Sequence, residues 1–374
     1  MTMTMSRRSL IRAASAAPLI AAAGNSTSVF AASAAEPPLF GPGDGVALLS
    51  RNENPYGPAP SALKAMYDWS SKGCYYAEGG AQRLTAMIAE KFAVTPDMVL
   101  LGSGSTEVLS ATALAWKDKG SILAPELFWD TTVGYAERKG AKVIRVPLTA
   151  MLDTDLDAMA AAMTPDVKLV HICNPNNPTG VLIDNAKLRA FIAKVSPQAT
   201  VLVDEAYNEL LDFPEQNSVV DLVKKGENVI VVRTFSKIYG LAGLRIGYAI
   251  ASPKVVQEVR GYEMSMGGNT AGLAAAIASF NDTAFTTYSK AKVTEGRQMI
   301  EAAVKKAGLT ALPSQTNFVF VKVPDANKLR TAMADRQIMI RGAYGKWTEW
   351  SRVSCGKIED VERYASALPQ IMQA

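Results

Sequence analysis

The chain has 374 residues, 48% of them apolar and 20% charged, with a formal net charge of +4. That length suits two domains of an α/β protein with a large core, and the composition excludes a disordered or low-complexity chain. The near balance of charge, with no basic cluster after the first dozen residues, excludes the electrostatic footprint of a nucleic-acid binder.

The first element, residues 1–34, reads as a leader rather than as part of the fold. Arg7, Arg8 and Arg12 precede a charge-free run to Ala35, with an apolar stretch from Ala13 to Ala23 and small residues at Ala32-Ser33-Ala34. This is the layout of an export signal, and SRRSLIR resembles the twin-arginine signature, with Leu10 where that pattern usually has Phe. The alternative is an uncleaved anchor. The apolar stretch is short for a span and is interrupted by Pro18, Gly24 and Asn25, so no stable membrane insertion is expected after processing. Loss of residues 1–34 removes three arginines and no acid, leaving 36 Lys and Arg against 35 Asp and Glu. The expected mature protein is nearly neutral and periplasmic. Cys74, Cys173 and Cys355 are odd in number and widely scattered, which argues against a disulfide framework, and they lack metal-ligand spacing. No metal is expected.

Residues 35–70 read as an irregular arm, with AEPPLFGPGDG and then LLSRNENPYGPAP. Helical periodicity from Ser61 to Phe92 is interrupted by SKGCYYAEGG. Over residues 71–255, short β-branched runs alternate with helical ones. The strands are MVLLGSGS, GSILAPE, AKVIRVPL, VKLVHICNP, ATVLVDEAY and NVIVVRTFS; the helices include TEVLSATALAWKD, TTVGYAERKG and NAKLRAFIAKV. This alternation predicts an α/β domain whose mostly parallel sheet is covered by helices on both faces. Over residues 256–374 a smaller α+β C-terminal domain is expected. Near its start a long helical run, Pro253 to Lys306, breaks at GGNT, and the strands TNFVFVKV and RVSCG follow beside short helices.

Polar groups follow four of the strands, where open parallel sheets bind ligands. Each has a bland reading. Gly102-Ser103-Gly104-Ser105-Thr106 enters a helix and offers free N–H groups to a phosphate, yet it lacks a P-loop lysine and the third glycine of a dinucleotide fingerprint. NPNNPTG, residues 174–180, is a turn by composition. Asp204 is an acid at a strand end, Lys237 a solvated lysine and Arg245 a surface ion pair. A nicotinamide enzyme would need a ribose-binding acid about 20 residues after the glycine loop; Glu126 is the only candidate, and it belongs better to the segment PELFW. His171, the single histidine, lies within a strand and reads as core.

Taken together, NPNNPTG, DEAY and SKIYGLAGLR, in this order and spacing, resemble the pyridoxal-phosphate enzymes of the aspartate-aminotransferase fold, class I/II and fold type I. The nearest resemblance is to the histidinol-phosphate aminotransferase group, from about NENPYGP to RVSCG. It implies pyridoxal 5'-phosphate as cofactor and Lys237 as the catalytic lysine that condenses with the cofactor aldehyde and shuttles the substrate proton. Ser105, Thr106, Ser236, Arg245 and Thr234 would hold the phosphate. Asp204 would pair with the ring nitrogen, and Asn177 and Tyr207 would bond the phenolic oxygen. PELFWDTT departs from the family's usual sequence at the ring-stacking position. Counting back from YAERKGA gives Trp129, with Phe128 as the other choice. Tyr76 matches a tyrosine that reaches the neighbouring subunit's cofactor phosphate, which would make the protein a homodimer with shared sites.

At the substrate end, Arg352 matches the arginine that binds an α-carboxylate. Asn54 and Tyr56 match a segment that closes over substrate, and Arg341 resembles an arginine that contacts a substrate phosphate. Tyr344, Trp347 and Trp350 either line an aromatic pocket or pack the small domain. The implied reaction is transamination between an amino acid and a 2-oxo acid. Because of the leader, a substrate other than histidinol phosphate is expected. A lyase, decarboxylase or racemase on the same fold is the alternative reading, and a non-catalytic binding protein a remote one.

Overall fold

In the computed structural model, which describes residues 38–264 and 268–373, strands and helices alternate along the chain. The leader expected over residues 1–34 lies outside the described residues. The strands are β1 (Ala47–Leu48), β2 (Val99–Ser103), β3 (Ser121–Pro125), β4 (Val143–Val146), β5 (Val167–Cys173), β6 (Thr200–Asp204), β7 (Val229–Thr234), β8 (Ile246–Ile250), β9 (Thr310–Ala311), β10 (Phe318–Lys322), β11 (Ile338–Met339) and β12 (Trp350–Ser354).

Seven of them form one sheet in the order β2-β8-β7-β6-β5-β3-β4. Pairing is parallel from β7 to β4, whereas β8 runs antiparallel to both β7 and β2. One consequence decides where the site lies. The C-terminal ends of β2, β5, β6 and β7 and the start of β8 all reach the same edge. Strand β8 is absent from the pattern read above, because its five buried residues follow the lysine loop with only the short 3-10 turn Ala242–Leu244 between and no α-helix, and so break the strand–helix alternation.

Alternate residues of each strand enter different cores, as a period of two requires. Val170, Ile172, Val201, Val203, Val229 and Val231 join one core, against helices Glu78–Phe92, Asn185–Val195 and Thr270–Ser279. Leu169, Cys173, Leu202, Ile230 and Val232 join the other, against helices Ser105–Trp116, Thr131–Glu137 and Pro253–Arg260. Asp204 and Thr234 continue the second set to the sheet edge. Glu205 and Arg233 fall on the opposite face, where Arg233 Nη2 and Nε lie 2.7 and 3.0 Å from Glu205 Oε2. This buried pair ties the end of β6 to the end of β7.

Helices on both sides of residues 255 and 256 pack on the large sheet. Asp44–Ala374 form one compact unit. Helices Pro253–Arg260 and Thr270–Ser279 bury Val256, Val259, Leu273 and Ala276 in the cores of the large sheet. Helix Thr283–Lys306 then packs on helix Ile358–Gln373 and on β10 of the antiparallel sheet β12-β10-β9. The long helical run expected over 253–306 is thus three helices. The arm is integrated as well, since β1 pairs with β11 in parallel.

Candidate active site

At the shared sheet edge lies a cavity of about 410 Å³. Its walls include Ser105, Thr106, Trp129, Asn177, Asp204, Tyr207, Thr234, Ser236, Lys237, Arg245, Arg341 and Arg352, drawn from positions more than 200 residues apart in sequence.

One end of the cavity is built by glycines. Gly104 has φ +76°, and a Cβ there would overlap the Arg245 guanidinium; a Cβ on Gly247 would overlap Ser105 N. These two positions let β8 and the arginine lie against the start of helix Ser105–Trp116, which has no side-chain cap, so its first N–H groups face the cavity. Arg245, itself at φ 57°, donates to Ala242 O at 2.9 Å. Thr234 Oγ1 donates to Ser236 Oγ at 2.9 Å, completing a hydroxyl pair beside it. Hydroxyls, a guanidinium and a free helix N-terminus fit a dianion.

At the other end Asp204 is 3% exposed. Oδ1 accepts from Ala206 N at 3.1 Å, and Oδ2 has only the Cys173 thiol at 4.0 Å. Burial pushes its carboxyl up to about 7, with the Ala206 N–H and Lys237 opposing. A buried carboxylate this poorly compensated fits a cationic ring nitrogen as its missing partner. Tyr207 OH accepts from Asn52 Nδ2 at 3.2 Å and Asn177 Nδ2 at 3.1 Å. Burial raises this phenol, which therefore stays protonated and can itself donate.

Lys237 Nζ donates to Asn52 O at 3.1 Å and lies 5.5 Å from the Tyr207 ring centroid. Burial, helped by Arg352, brings its ammonium down to about 8, against the pull of Glu53 and Asp204. The lysine loop is locked from behind. A Cβ on Gly57 would stand 2.7 Å from Gly240 Cα, so the N-terminal segment meets the loop backbone to backbone.

Arg352 Nη1 donates to Asn177 Oδ1 at 2.7 Å and Nη2 to Ser50 O at 2.8 Å, while its buried Nε has no partner. Arg341 lies beside it, 5.5 Å from the Tyr344 ring. Trp129 reaches the cavity, whereas Phe128 is buried edge-on against His171 at 5.0 Å. His171, fully buried, has its imidazole pushed down to about 3 by desolvation and is a neutral core residue. Tyr344 lines the cavity; Trp350 instead stacks on Phe320 at 5.0 Å, and Trp347 packs in the same apolar cluster.

Two residues expected at this chain's own cavity stand elsewhere. Asn54 is buried, donating to Ile238 O at 2.8 Å and Ser289 Oγ at 3.0 Å, so it braces the lysine loop rather than facing the cavity. Tyr56 OH accepts from Ile358 N at 3.0 Å, pointing the ring away to helix Ile358–Gln373. Tyr76 is 77% exposed and lines a different cavity. In their place the N-terminal segment contributes Asn52 and Glu53, which sequence reasoning missed. Asn52 adopts φ 56°, and the only hint in the sequence was that Asn tolerates this conformation.

The class I and II aminotransferase family model matches residues 44–368. A histidinol-phosphate aminotransferase from Ralstonia nicotianae is 36% identical over 331 residues, 86% of this chain and 88% of that protein. One from Moorella thermoacetica is 33% identical over 332 residues, 87% of this chain and 86% of that protein. The structure of a Sinorhizobium meliloti histidinol-phosphate aminotransferase in complex with pyridoxal 5'-phosphate superposes with a TM-score of 0.81 at 28% identity, covering 88% of this chain and 91% of that one. The cavity's dianion end, its buried carboxylate and its lysine suit that same cofactor. The chain belongs to the class I and II aminotransferases, enzymes dependent on pyridoxal 5'-phosphate.

Proposed function

We propose that this enzyme moves the amino group of a free amino acid to a 2-oxo acid, with Arg352 holding the donor's carboxylate and Lys237 moving the proton. The observation that carries this reading is the buried Arg352, with an unpartnered Nε, lining the same cavity as a lysine brought down to about 8. Pyridoxal 5'-phosphate supplies, when bound, the electron sink for the donor's α-carbon. Ser105, Thr106, Thr234, Ser236 and Arg245 would hold its phosphate, and Asp204 would keep its ring nitrogen protonated. Asn177 and Tyr207 would hydrogen-bond its phenolic oxygen, and Trp129 would cover the ring. Lys237 Nζ, whose lowered pKa of about 8 leaves a usable neutral fraction near neutral pH, would take the proton from the donor's α-carbon and return it to the cofactor's aldehyde carbon.

The leader supports export to the periplasm, and with it a donor other than histidinol phosphate. The exposed aromatics Tyr67, Tyr75 and Tyr76 support a homodimer in which Tyr76 serves the neighbouring site. The test is a half-reaction: holoenzyme is mixed with one donor at a time, without any 2-oxo acid, while the cofactor's absorbance is followed. Transamination predicts loss of the visible band, one equivalent of oxo product, and recovery on adding a 2-oxo acid; Lys237→Ala should show none of it. A visible band that persists while ammonia, carbon dioxide or the opposite enantiomer accumulates would overturn the reading. Preference for histidinol phosphate over every free amino acid would overturn the substrate part alone.

A further inference from the structure

Among the residues lining the cavity only two carry carboxylates, Asp204 and Glu53. Asp204 lies at the sheet edge, beneath the lysine. Glu53 lies on the segment that Arg352 anchors through Ser50 O, at 2.8 Å, on the substrate side.

The backbone there is held from four directions. Asn52 N donates to Ser354 Oγ at 2.9 Å, and that hydroxyl donates back to Asn52 Oδ1 at 2.7 Å. Asn52 O accepts from Asn317 Nδ2 at 2.9 Å and from Lys237 Nζ at 3.1 Å. Asn52 Nδ2 donates to Tyr207 OH at 3.2 Å, and Glu53 O accepts from Asn317 Nδ2 at 3.4 Å. Asn52 is left-handed at φ 56°, a conformation that asparagine tolerates better than most residues and that these bonds hold in place. So much restraint on the main chain fixes where the Glu53 side chain leaves it. Yet among the described residues the Glu53 carboxylate has no hydrogen bond and no ion pair, although Arg51, Arg341, Arg352 and Lys237 line the same cavity. Its backbone is placed by the protein, and its half-buried carboxylate is felt by Lys237 yet is bonded to none of these cations.

We infer that Glu53 is a specificity-determining residue that selects amino donors whose side chain ends in a cation or an N–H donor. The inference rests on the proposed transamination at this site. The physical argument is charge matching in a confined cavity. Arg352 and Arg341 attract carboxylates wherever a substrate carries them, so an acidic side chain needs no further help. A basic side chain meets several like charges unless one acid offsets them, and Glu53 is the acid available on that side. A hydrogen bond from a charged donor to a carboxylate is stronger than one between neutral groups, which sets the expected selectivity.

The test compares holoenzyme with Glu53→Gln and Glu53→Asp on three pairs of probe donors. Lysine is paired with norleucine, ornithine with norvaline, and histidine with phenylalanine, with 2-oxoglutarate as acceptor. Two quantities are read for each: kcat/KM, and the dissociation constant from the change in cofactor absorbance as donor binds. Wild type should favour each basic donor over its neutral partner by about tenfold or more, in line with a charged hydrogen bond. Glu53→Gln should collapse that ratio while neutral donors change less than about threefold, and Glu53→Asp should retain a basic preference. An unchanged ratio in Glu53→Gln overturns the inference. An equal loss for all donors also overturns it, because that would place Glu53 in the proton chemistry of Lys237. The binding measurement keeps the two readings apart. Glu53-dependent selectivity in binding without turnover would preserve this inference and sink transamination; turnover without such selectivity would do the reverse.

Discussion

A carboxylate that is 3% exposed at a strand end loses most of its hydration, and Asp204 recovers one backbone N–H and a weak thiol contact. Its pKa is therefore raised, from 3.8 to about 7, and the sign of the consequence follows. Between those values the folded protein holds a proton that the unfolded chain has released. The Asp204 contribution to stability is present below pH 4 and is lost as pH rises to about 7. In cofactor-free protein, Asp204→Asn should be the more stable form above pH 7, by on the order of 4 kcal/mol, with little difference at pH 4. Urea unfolding of both forms at the two pH values measures it. Equal stability at high pH would mean that Asp204 is compensated in the apoprotein. The same substitution should remove most activity, so the residue that weakens the fold is the one the chemistry needs.

The cofactor's dianion end depends on the element boundary at Gly104, where β2 stops and helix Ser105–Trp116 begins. With φ +76° and the Arg245 guanidinium filling the space a Cβ would take, Gly104→Ala adds strain and also displaces the arginine. Gly140 provides a control, since its φ is +94° but nothing lies within 4 Å of a Cβ built there. Both alanine variants should lose about 1 kcal/mol to backbone strain. Only Gly104→Ala should weaken cofactor affinity, by about tenfold or more, as read by quenching of tryptophan fluorescence on titration with pyridoxal 5'-phosphate. Matching affinities in the two variants would show that Arg245 does not depend on this close approach.

For the whole molecule, Tyr67 (83% exposed), Tyr75 (69% exposed) and Tyr76 (77% exposed) are large aromatic side chains left in water by the single chain, which the proposed homodimer would cover. Light scattering should give twice the chain mass. Tyr76→Ala should weaken cofactor binding without unfolding the protein, whereas a monomer with unaltered cofactor affinity in Tyr76→Ala would remove the shared-site reading.

Local chemistry was legible wherever a motif keeps its residues adjacent. NPNNPTG, DEAY and the lysine loop each end a strand, and period-two burial carries Asp204 and Thr234 to one face on the strength of a few neighbouring residues. Strand β8 was hidden because it enters the sheet antiparallel without a helix before it. The packing of residues 253–279 on the large sheet was hidden for a similar reason, as their helical pattern does not say which sheet its apolar face will cover. The family and the order of strands and helices that builds the sheet edge could be read from the sequence, because these depend on short-range pattern. Only the tertiary structure decided that Asn52 and Glu53, rather than Asn54 and Tyr56, face the cavity. That choice rests on a left-handed turn held by Ser354, 302 positions away, and by Asn317, 265 positions away. Contacts at that separation leave no periodicity in the chain.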